Sequence, residues 1–144
     1  GTSKPVLNAG DGTGEHPTQA LLDLYTICNE LDYDMDTSKN RKLVVVLLGD
    51  LKHGRTVHSL AKLLARSGID VLLRYCSPPE LPMPASVQEY VASCSSNGTV
   101  QQEIVTDLQD AVRGADVLYV TRVQKERFET VEEYESLKVR SILF

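Results

Sequence analysis

The run Leu43–Leu48 is the feature that most constrains the fold of this chain, because its six residues are all apolar and show no polar alternation. That pattern is typical of a parallel strand with helices on both faces. The stretch that follows, Gly49–Ser59, leads into a segment whose apolar residues recur at helical spacing, namely Val57, Leu60, Ala61 and Leu64. We therefore predict a strand-to-helix turn here. Open α/β sheets bind their ligands at such turns, beyond the carboxyl ends of the strands.

Strand and helix signals alternate along the rest of the chain. An amphipathic helix is predicted for residues 17–31, with Pro17 in its first turn, and the helix after the first strand is expected to end at Gly68. Further strands are predicted at 71–75, 103–105, 116–120 and 140–144, with helices at 87–94 and after capping boxes that begin at Thr106 and Thr130. This order predicts a Rossmann-like, doubly wound α/β domain. Its mainly parallel sheet has about four to five strands, with helices on both faces.

Composition excludes several classes of protein. A chain of 144 residues is long enough for one ordinary core. Its formal net charge of −5 and its lack of a long basic cluster argue against a nucleic-acid partner. The three cysteines are far apart and lack Cys-x-x-Cys spacing, which argues against a disulfide framework and against a metal site.

No apolar run approaches the length of about 20 residues that spans a bilayer. We therefore expect no membrane partner and a reducing, cytoplasmic location. The chain begins without methionine and ends within an apolar run, so we interpret it as a piece of a longer polypeptide.

The turn Gly49–Ser59 is positively charged in an acidic chain, which predicts an anionic ligand. Arg55 lies where the helix should start, with Thr56 beside it, and its planar guanidinium is suited to bidentate capture of a carboxylate. Arg122 leaves a predicted strand at its carboxyl end and Gln124 follows at alternate spacing, so we expect the stem of Arg122 to be buried there. A surface arginine paired with a neighbouring acid is the alternative for Arg55. Two arginines on adjacent turns nevertheless suggest a dicarboxylate ligand.

A second polar group lies at the start of the first helix. His16 and Gln19 are three residues apart, hence on one helical face, at a helix end whose free N–H groups attract negative charge. A neutral imidazole and a carboxamide are good donors to a carbonyl oxygen that gains charge during a reaction. The alternative that His16 is only a helix cap or a surface residue stays open at this point.

Four stretches of the sequence resemble, in order, successive signatures of the aspartate carbamoyltransferases. They are Asn8–Gly12, Glu15–Asp23, Gly49–Leu60 and Asp116–Phe128, and they are distributed along the chain nearly from end to end. The resemblance implies an enzyme that transfers the carbamoyl group of carbamoyl phosphate to the amine of L-aspartate in de novo pyrimidine synthesis. It also implies that the reaction uses no metal or other cofactor and no covalent intermediate, and that the full-length enzyme is a homotrimer.

The same resemblance assigns roles to residues. His16 and Gln19 match a His-Pro-x-Gln motif that contacts the carbamoyl group, with His16 stabilising the oxyanion. Arg55, with Thr56 beside it, matches the arginine that binds the α-carboxylate of aspartate. Arg122, assisted by Gln124, matches the arginine that binds the side-chain carboxylate.

Two family elements have no counterpart in the chain: the Ser-Thr-Arg-Thr phosphate-binding loop and the later His-Pro-Leu-Pro loop. We therefore interpret residues 1–144 as the aspartate-binding domain of a longer enzyme, with the carbamoyl-phosphate domain and the closing C-terminal segment absent. We expect the isolated fragment to be inactive.

Three alternatives remain. A noncatalytic amino-acid or dicarboxylate-binding module would be expected to have lost His16 or one of the two arginines. A carbamoyltransferase with a different amine substrate is disfavoured because ornithine-using relatives have a cysteine where this chain has Thr18. A dinucleotide-binding domain is disfavoured because the glycine-rich stretch 10–14 precedes the strongest strand and has the wrong spacing.

Overall fold

A computed structural model describes residues 4–12, 14–33, 41–94 and 99–122. In these ranges it contains four helices and four strands that alternate along the chain. They are α1 (Pro17–Glu30), β1 (Leu43–Leu48), α2 (Arg55–Arg66), β2 (Val71–Cys76), α3 (Ala85–Cys94), β3 (Val100–Ile104), α4 (Leu108–Val112) and β4 (Val117–Val120). The predicted helix after Thr130 and the predicted strand 140–144 lie outside the described residues.

The described strands form one parallel sheet in the order β3-β2-β1-β4. From β1 the chain moves outward to β2 and β3, and then returns to the other side of β1 for β4. The strand order therefore reverses between β1 and β4, and a crevice opens at their carboxyl ends. Leu48, the last residue of β1, is level with Cys76 of β2 and Val120 of β4. The predicted doubly wound α/β fold is thus confirmed, and Gly49 and Thr121 both lie at the reversal point.

The main core lies between the sheet and the first three helices. Leu24 and Ile27 of α1, side chains along α2, and Val87 and Val91 of α3 pack against one face of β1 and β2. The α2 helix begins two residues before the predicted apolar stripe. Val57, Leu60, Ala61 and Leu64 are all fully buried, which explains why this stripe was readable from the sequence.

The opposite face of the sheet carries the short helix α4. Val46 and Cys76 pack there against Ala111. Arg74 of β2 donates hydrogen bonds to the carbonyls of Ala111 (3.1 Å) and Arg113 (2.6 Å), which satisfies backbone oxygens at the end of α4. Helices therefore cover both faces, as predicted. In the described part of the chain no helix is long and apolar enough to cross a bilayer.

Two local predictions were wrong. The third strand begins at Val100 rather than at residue 103, because Gln101 and Gln102 pair with β2 despite their polarity. The cap of α4 is Asp107 rather than Thr106, since the Asp107 side chain accepts from the backbone N–H of Asp110 at 2.9 Å. Aspartate and threonine both cap helices well, so adjacent candidates cannot be ranked from the sequence.

Gly49 allows β1 and β4 to meet closely at their carboxyl ends. Its φ is +108°, and a Cβ atom at this position would lie 2.3 Å from the carbonyl oxygen of Thr121. Thr121 in turn donates its backbone N–H to Leu48 O at 2.8 Å. Only a residue without a side chain permits both the backbone angle and the approach.

We predict that Gly49→Ala lowers the free energy of unfolding by more than about 3 kcal/mol, because it adds a steric clash to an unfavourable backbone angle. Gly68→Ala is the matched control. Gly68 also has a positive φ, +82°, but an added Cβ would meet no atom within 4 Å. It should cost only about 1–2 kcal/mol, the penalty of the backbone angle alone. Urea unfolding of both variants measures the difference, and equal losses would contradict the steric role of Gly49.

Candidate active site

His16 is the N-cap of α1, and the capping hydrogen bond fixes the tautomer of its neutral ring. Its Nδ1 accepts a hydrogen bond from the backbone N–H of Gln19 at 3.3 Å. A backbone N–H can only donate, so Nδ1 carries no proton and the neutral ring holds its proton on Nε2. Capping therefore leaves an Nε2–H donor that can point to a ligand. The two interpretations of His16, cap and chemical group, are compatible with each other.

Ser59 of α2 attaches the start of α1 to the body of the domain. Ser59 is 6% exposed; its hydroxyl accepts from the backbone N–H of His16 at 2.9 Å and donates to the Glu15 carboxylate. Lys62, one turn further along α2, pairs with the same carboxylate. Burial acts to raise the pKa of Glu15, but the hydrogen bonds from Lys62 and Ser59 outweigh it and hold that pKa below its usual value.

Arg55 is the first residue of α2, and it reaches across to the glycine-rich segment. Its Nη1 donates to the carbonyl of Gly12. A Cβ atom placed on Gly10 would lie 3.6 Å from Arg55 Nη1 and 3.9 Å from His16 Cδ2. The guanidinium and the imidazole thus both lie close to the Cβ position of the same glycine. The structure therefore brings together two predicted site residues that are 39 positions apart in the sequence.

Gln19 and Thr56 belong to one polar network. They are connected through Asp23 and Tyr119, which the sequence analysis did not single out. Gln19 Nε2 donates to Asp23 Oδ1 at 2.9 Å, and the hydroxyl of Tyr119 in β4 donates to Asp23 Oδ2 at 3.0 Å. Burial raises the pKa of Tyr119; a hydrogen bond from Thr56 acts in the opposite direction, and the Asp23 carboxylate adds to the increase. The network joins α1, α2 and β4.

Hydrogen bonds of buried and partly buried side chains hold the turn between β1 and α2. Asp50 is fully buried, and it accepts from the backbone N–H of His53 at 2.9 Å and contacts His53 Nδ1 at 3.1 Å. His58 Nε2 donates to Leu51 O at 2.6 Å, and burial lowers the pKa of this histidine. Both histidines are therefore engaged in shaping the turn, which leaves Arg55 and Thr56 as the polar side chains at its end.

Arg122 follows β4 at the reversal point, next to the turn of β1. Thr121 anchors this position, since its hydroxyl donates to the carbonyls of Leu48 (3.2 Å) and Asp50 (3.3 Å). The predicted burial of Arg122 was wrong: the residue is exposed. The reason is that the outer face of β4 is itself open, with Val120 63% exposed. Gln124 lies outside the described residues.

A groove of about 420 Å³ lies beside α1. It is bounded by α1, α2 and α3, and Leu21, Leu63 and Tyr90 form much of its wall. Its lining includes none of Gln19, Arg55 and Thr56. The groove thus borders the start of α1 through Glu15 and Ser59, but the predicted site residues do not line it.

Comparison with known proteins assigns the family. The model of the aspartate/ornithine carbamoyltransferase Asp/Orn binding domain matches residues 41–143. The chain belongs to this carbamoyltransferase family. The model of the family's carbamoyl-P binding domain matches residues 1–29, which include the glycine-rich segment and nearly all of α1.

Individual relatives support this assignment. The chain is 50% identical over 130 residues to the aspartate carbamoyltransferase catalytic subunit of Methanothrix thermoacetophila, covering 90% of this chain and 38% of the relative. It is 49% identical over 135 residues to the multifunctional protein pyr1-3 of Dictyostelium discoideum, covering 94% of this chain and 6% of that protein. The chain therefore spans about two-fifths of the length of the catalytic subunits it matches, and far less of the multifunctional proteins.

Solved structures of carbamoyltransferases have the same fold. The catalytic subunit of M. jannaschii aspartate transcarbamoylase superposes with a TM-score of 0.76 at 40% identity, over 96% of this chain and 42% of that one. Trypanosoma cruzi aspartate transcarbamoylase in complex with carbamoyl phosphate and aspartate gives a TM-score of 0.77 at 41% identity, over 94% of this chain and 41% of that one.

Sequence reasoning missed Ser59, Asp23 and Tyr119. Ser59 carried a weak signal, because a serine on the otherwise apolar inner side of α2 must find hydrogen-bond partners when buried. Asp23 lies four residues after Gln19, a spacing at which side chains on a helix meet. Tyr119 had no readable signal, since its contact with Asp23 joins positions 96 residues apart.

The Glu15 contacts predict a pH dependence of stability. Glu15→Gln should be less stable than the parent at neutral pH, by less than about 1 kcal/mol because the pair is partly exposed. Since the folded-state pKa of Glu15 lies below its ordinary value of 4.5, the advantage of the parent is present above pH 4.5 and is lost as the pH falls through the lower folded-state value. Urea unfolding across this range, with the exposed Glu89→Gln as control, measures it. A parent-to-variant difference that does not change with pH would contradict the assigned role.

Proposed function

We propose that this chain is the aspartate-binding part of an aspartate carbamoyltransferase, with residues 1–144 acting as one structural unit. The reaction joins the amine of L-aspartate to the carbonyl carbon of carbamoyl phosphate. A C–N bond forms, the bond from carbon to the phosphate oxygen breaks, and N-carbamoyl-L-aspartate, phosphate and a proton are released. In the cell this reaction serves de novo pyrimidine synthesis in the cytoplasm.

The placement of Arg55 and His16 next to the same position, Gly10, is the observation that supports this proposal most strongly. An anion-binding guanidinium and an Nε2–H donor lie together, next to the point where the strand order reverses. A substrate with a carboxylate and a reacting carbonyl needs this pair of groups. In support of this, the Trypanosoma cruzi relative has been crystallised in complex with carbamoyl phosphate and aspartate, which carry these two chemical groups.

Each predicted site residue takes one part of the task. His16 donates from Nε2 to the carbonyl oxygen as it becomes an oxyanion. Arg55 binds the α-carboxylate of aspartate, with Thr56 beside it. Arg122, assisted by Gln124, binds the side-chain carboxylate from the end of β4. The exposure of Arg122 is compatible with this role, because a residue that binds a diffusing substrate must be accessible before the substrate arrives.

Gln19 acts as an acceptor rather than as the donor first expected. One N–H of its Nε2 donates to Asp23, and none of the described residues donates to Oε1, so Oε1 is an acceptor available to a ligand. Oε1 then accepts from the amino group of the carbamoyl moiety. His16 and Gln19 therefore bind different atoms of one group and fix its orientation, which is where most of the rate enhancement of such a reaction arises.

Aspartate is preferred to ornithine on two grounds. The relatives at 46–50% identity include catalytic subunits of aspartate carbamoyltransferases. Arg122 also supplies a second positive charge, which attracts the side-chain carboxylate of aspartate and repels the side-chain amine of ornithine. The parent enzyme is proposed to be a homotrimer that uses no cofactor.

The family models and the packing of the core place the boundary between the two domains at different positions in the chain. Residues 1–29 match the carbamoyl-P binding model, yet α1 contributes Leu24 and Ile27 to the core beneath β1. We propose that α1 joins the two domains and folds with the aspartate-binding part. On this view the chain alone binds substrate analogues but lacks transferase activity, because the phosphate-binding loop is not part of it.

Calorimetric titration with N-(phosphonacetyl)-L-aspartic acid, the compound bound in another Trypanosoma cruzi complex, tests the site. The parent chain should bind the compound, and Arg55→Ala should weaken binding at least about tenfold, because a charge-assisted contact is lost. Arg122→Ala should weaken it similarly. Arg113→Ala is the matched control, since it removes the same charge from an exposed position next to α4. Binding that survives both site substitutions would contradict the assignments.

Activity is tested in a hybrid catalytic subunit, in which this chain replaces its aligned segment of the Methanothrix thermoacetophila relative. The hybrid should carbamoylate aspartate and not ornithine. His16→Ala should lower kcat by about 10²–10³-fold, the usual effect of losing one oxyanion donor. A folded hybrid without carbamoyl transfer to aspartate would contradict the proposed function.

A further inference from the structure

The side chain of Asp23 has a partner on each of its two oxygens. Gln19 Nε2 donates to Oδ1 at 2.9 Å from the preceding turn of α1, and Tyr119 Oη donates to Oδ2 at 3.0 Å from β4. Both contacts are partly buried, so solvent competes with them only weakly. Asp23 thus connects a predicted active-site amide to strand β4.

An ionised carboxylate can accept hydrogen bonds but cannot donate them. Gln19 can therefore meet Asp23 only with its NH₂ group, and its carbonyl oxygen Oε1 must lie on the opposite side of the amide. Among the described residues none donates a hydrogen bond to Oε1. A neutral partner in place of Asp23 would accept either orientation of the amide, because an amide or a hydroxyl can both donate and accept.

Tyr119 keeps Asp23 itself in place. It lies on β4, two residues before Thr121 at the reversal point, and its hydroxyl also interacts with Thr56 of α2. The position of the Asp23 carboxylate is therefore fixed relative to the end of β4, the strand that Arg122 follows. A movement of α1 relative to the sheet would change the distance between Asp23 and Tyr119 before it changed anything within α1.

We propose that Asp23 is a positioning residue, which, anchored by Tyr119, holds Gln19 with Oε1 directed to the amino group of the carbamoyl substrate. This inference rests on the proposed function. Asp23 itself does not touch substrate. It determines that the substrate meets the carbonyl oxygen of the Gln19 amide rather than its NH₂ group.

A purely structural role for Asp23, docking α1 on the sheet, is distinguished by a double-mutant cycle in the hybrid subunit. Asp23→Asn should lower kcat about 10- to 100-fold while the KM for aspartate changes by less than about threefold, because only the carbamoyl side is misoriented. In the Gln19→Ala background the same substitution should change kcat by less than about threefold, since the group it positions is gone. Equal losses in both backgrounds would overturn the proposal.

Two further variants complete the set. Tyr119→Phe should lower kcat by about three- to tenfold, as expected from the loss of one hydrogen bond, and this effect should also vanish in the Gln19→Ala background. Glu30→Gln is the matched control: it removes one carboxylate from the exposed last residue of α1 and should leave kcat unchanged.

Nuclear magnetic resonance of the chain itself measures the amide orientation without any reaction. The side-chain NH₂ resonances of Gln19, assigned by their loss in Gln19→Ala, should lie downfield of those of exposed glutamines and move upfield in Asp23→Asn. Unchanged resonances would overturn the proposal even if the hybrid is active. If the hybrid lacks activity but the resonances shift as expected, the proposed function fails while the contact of Asp23 with Gln19 is supported.

Discussion

The hydroxyl of Ser59 is the contact on which the candidate site depends most. The segment before β1 pairs with no strand of the described sheet, so its position relative to the sheet is set by the packing of α1 and by side-chain hydrogen bonds. Ser59 accepts from the backbone of His16 and donates to Glu15, and therefore fixes two consecutive residues at the helix start. Hydrophobic packing of Leu24 and Ile27 would allow α1 to slide, whereas a buried hydrogen bond has a defined direction and length.

The second constraint is the close approach of β1 and β4. Because Gly49 has no side chain, the backbone of the turn after β1 lies directly against the backbone at the end of β4. The Thr121 hydroxyl then donates to the carbonyls of Leu48, at the end of β1, and of Asp50, in the turn. Arg55 and Arg122 are carried by the two segments joined here. The topology, through the reversal of strand order, thus creates the crevice, and local hydrogen bonds determine which side chains surround it.

Much of this arrangement could be read from the sequence. The bounds of β1 were predicted correctly, because a run of six apolar residues between polar flanks has few other interpretations. The turn into α2 and the place of His16 at the start of α1 followed from helix-end signals. Polar strands such as β3 were harder, since their pairing partner rather than their own composition places them in the sheet.

The supporting residues could not be read in the same way. The roles of Ser59, Asp23 and Tyr119 come from contacts between distant parts of the chain, and each residue type has common uses elsewhere. The burial of Arg122 was overestimated because the sequence around β4 shows an apolar strand but not that one of its faces is open. Sequence patterns therefore indicated candidate substrate-binding groups but not the residues that hold those groups in place.

The tautomer of His16 links the fold to the chemistry most directly, because it depends on where α1 begins and determines which ring nitrogen can donate. Nitrogen-15 chemical shifts of the His16 ring, measured on the chain near neutral pH and assigned by comparison with His16→Ala, report it. We expect the shifts of a neutral ring with the proton on Nε2 and with Nδ1 as acceptor. A ring with its proton on Nδ1 would show that His16 does not cap α1, and would contradict its role as the donor to the carbonyl oxygen.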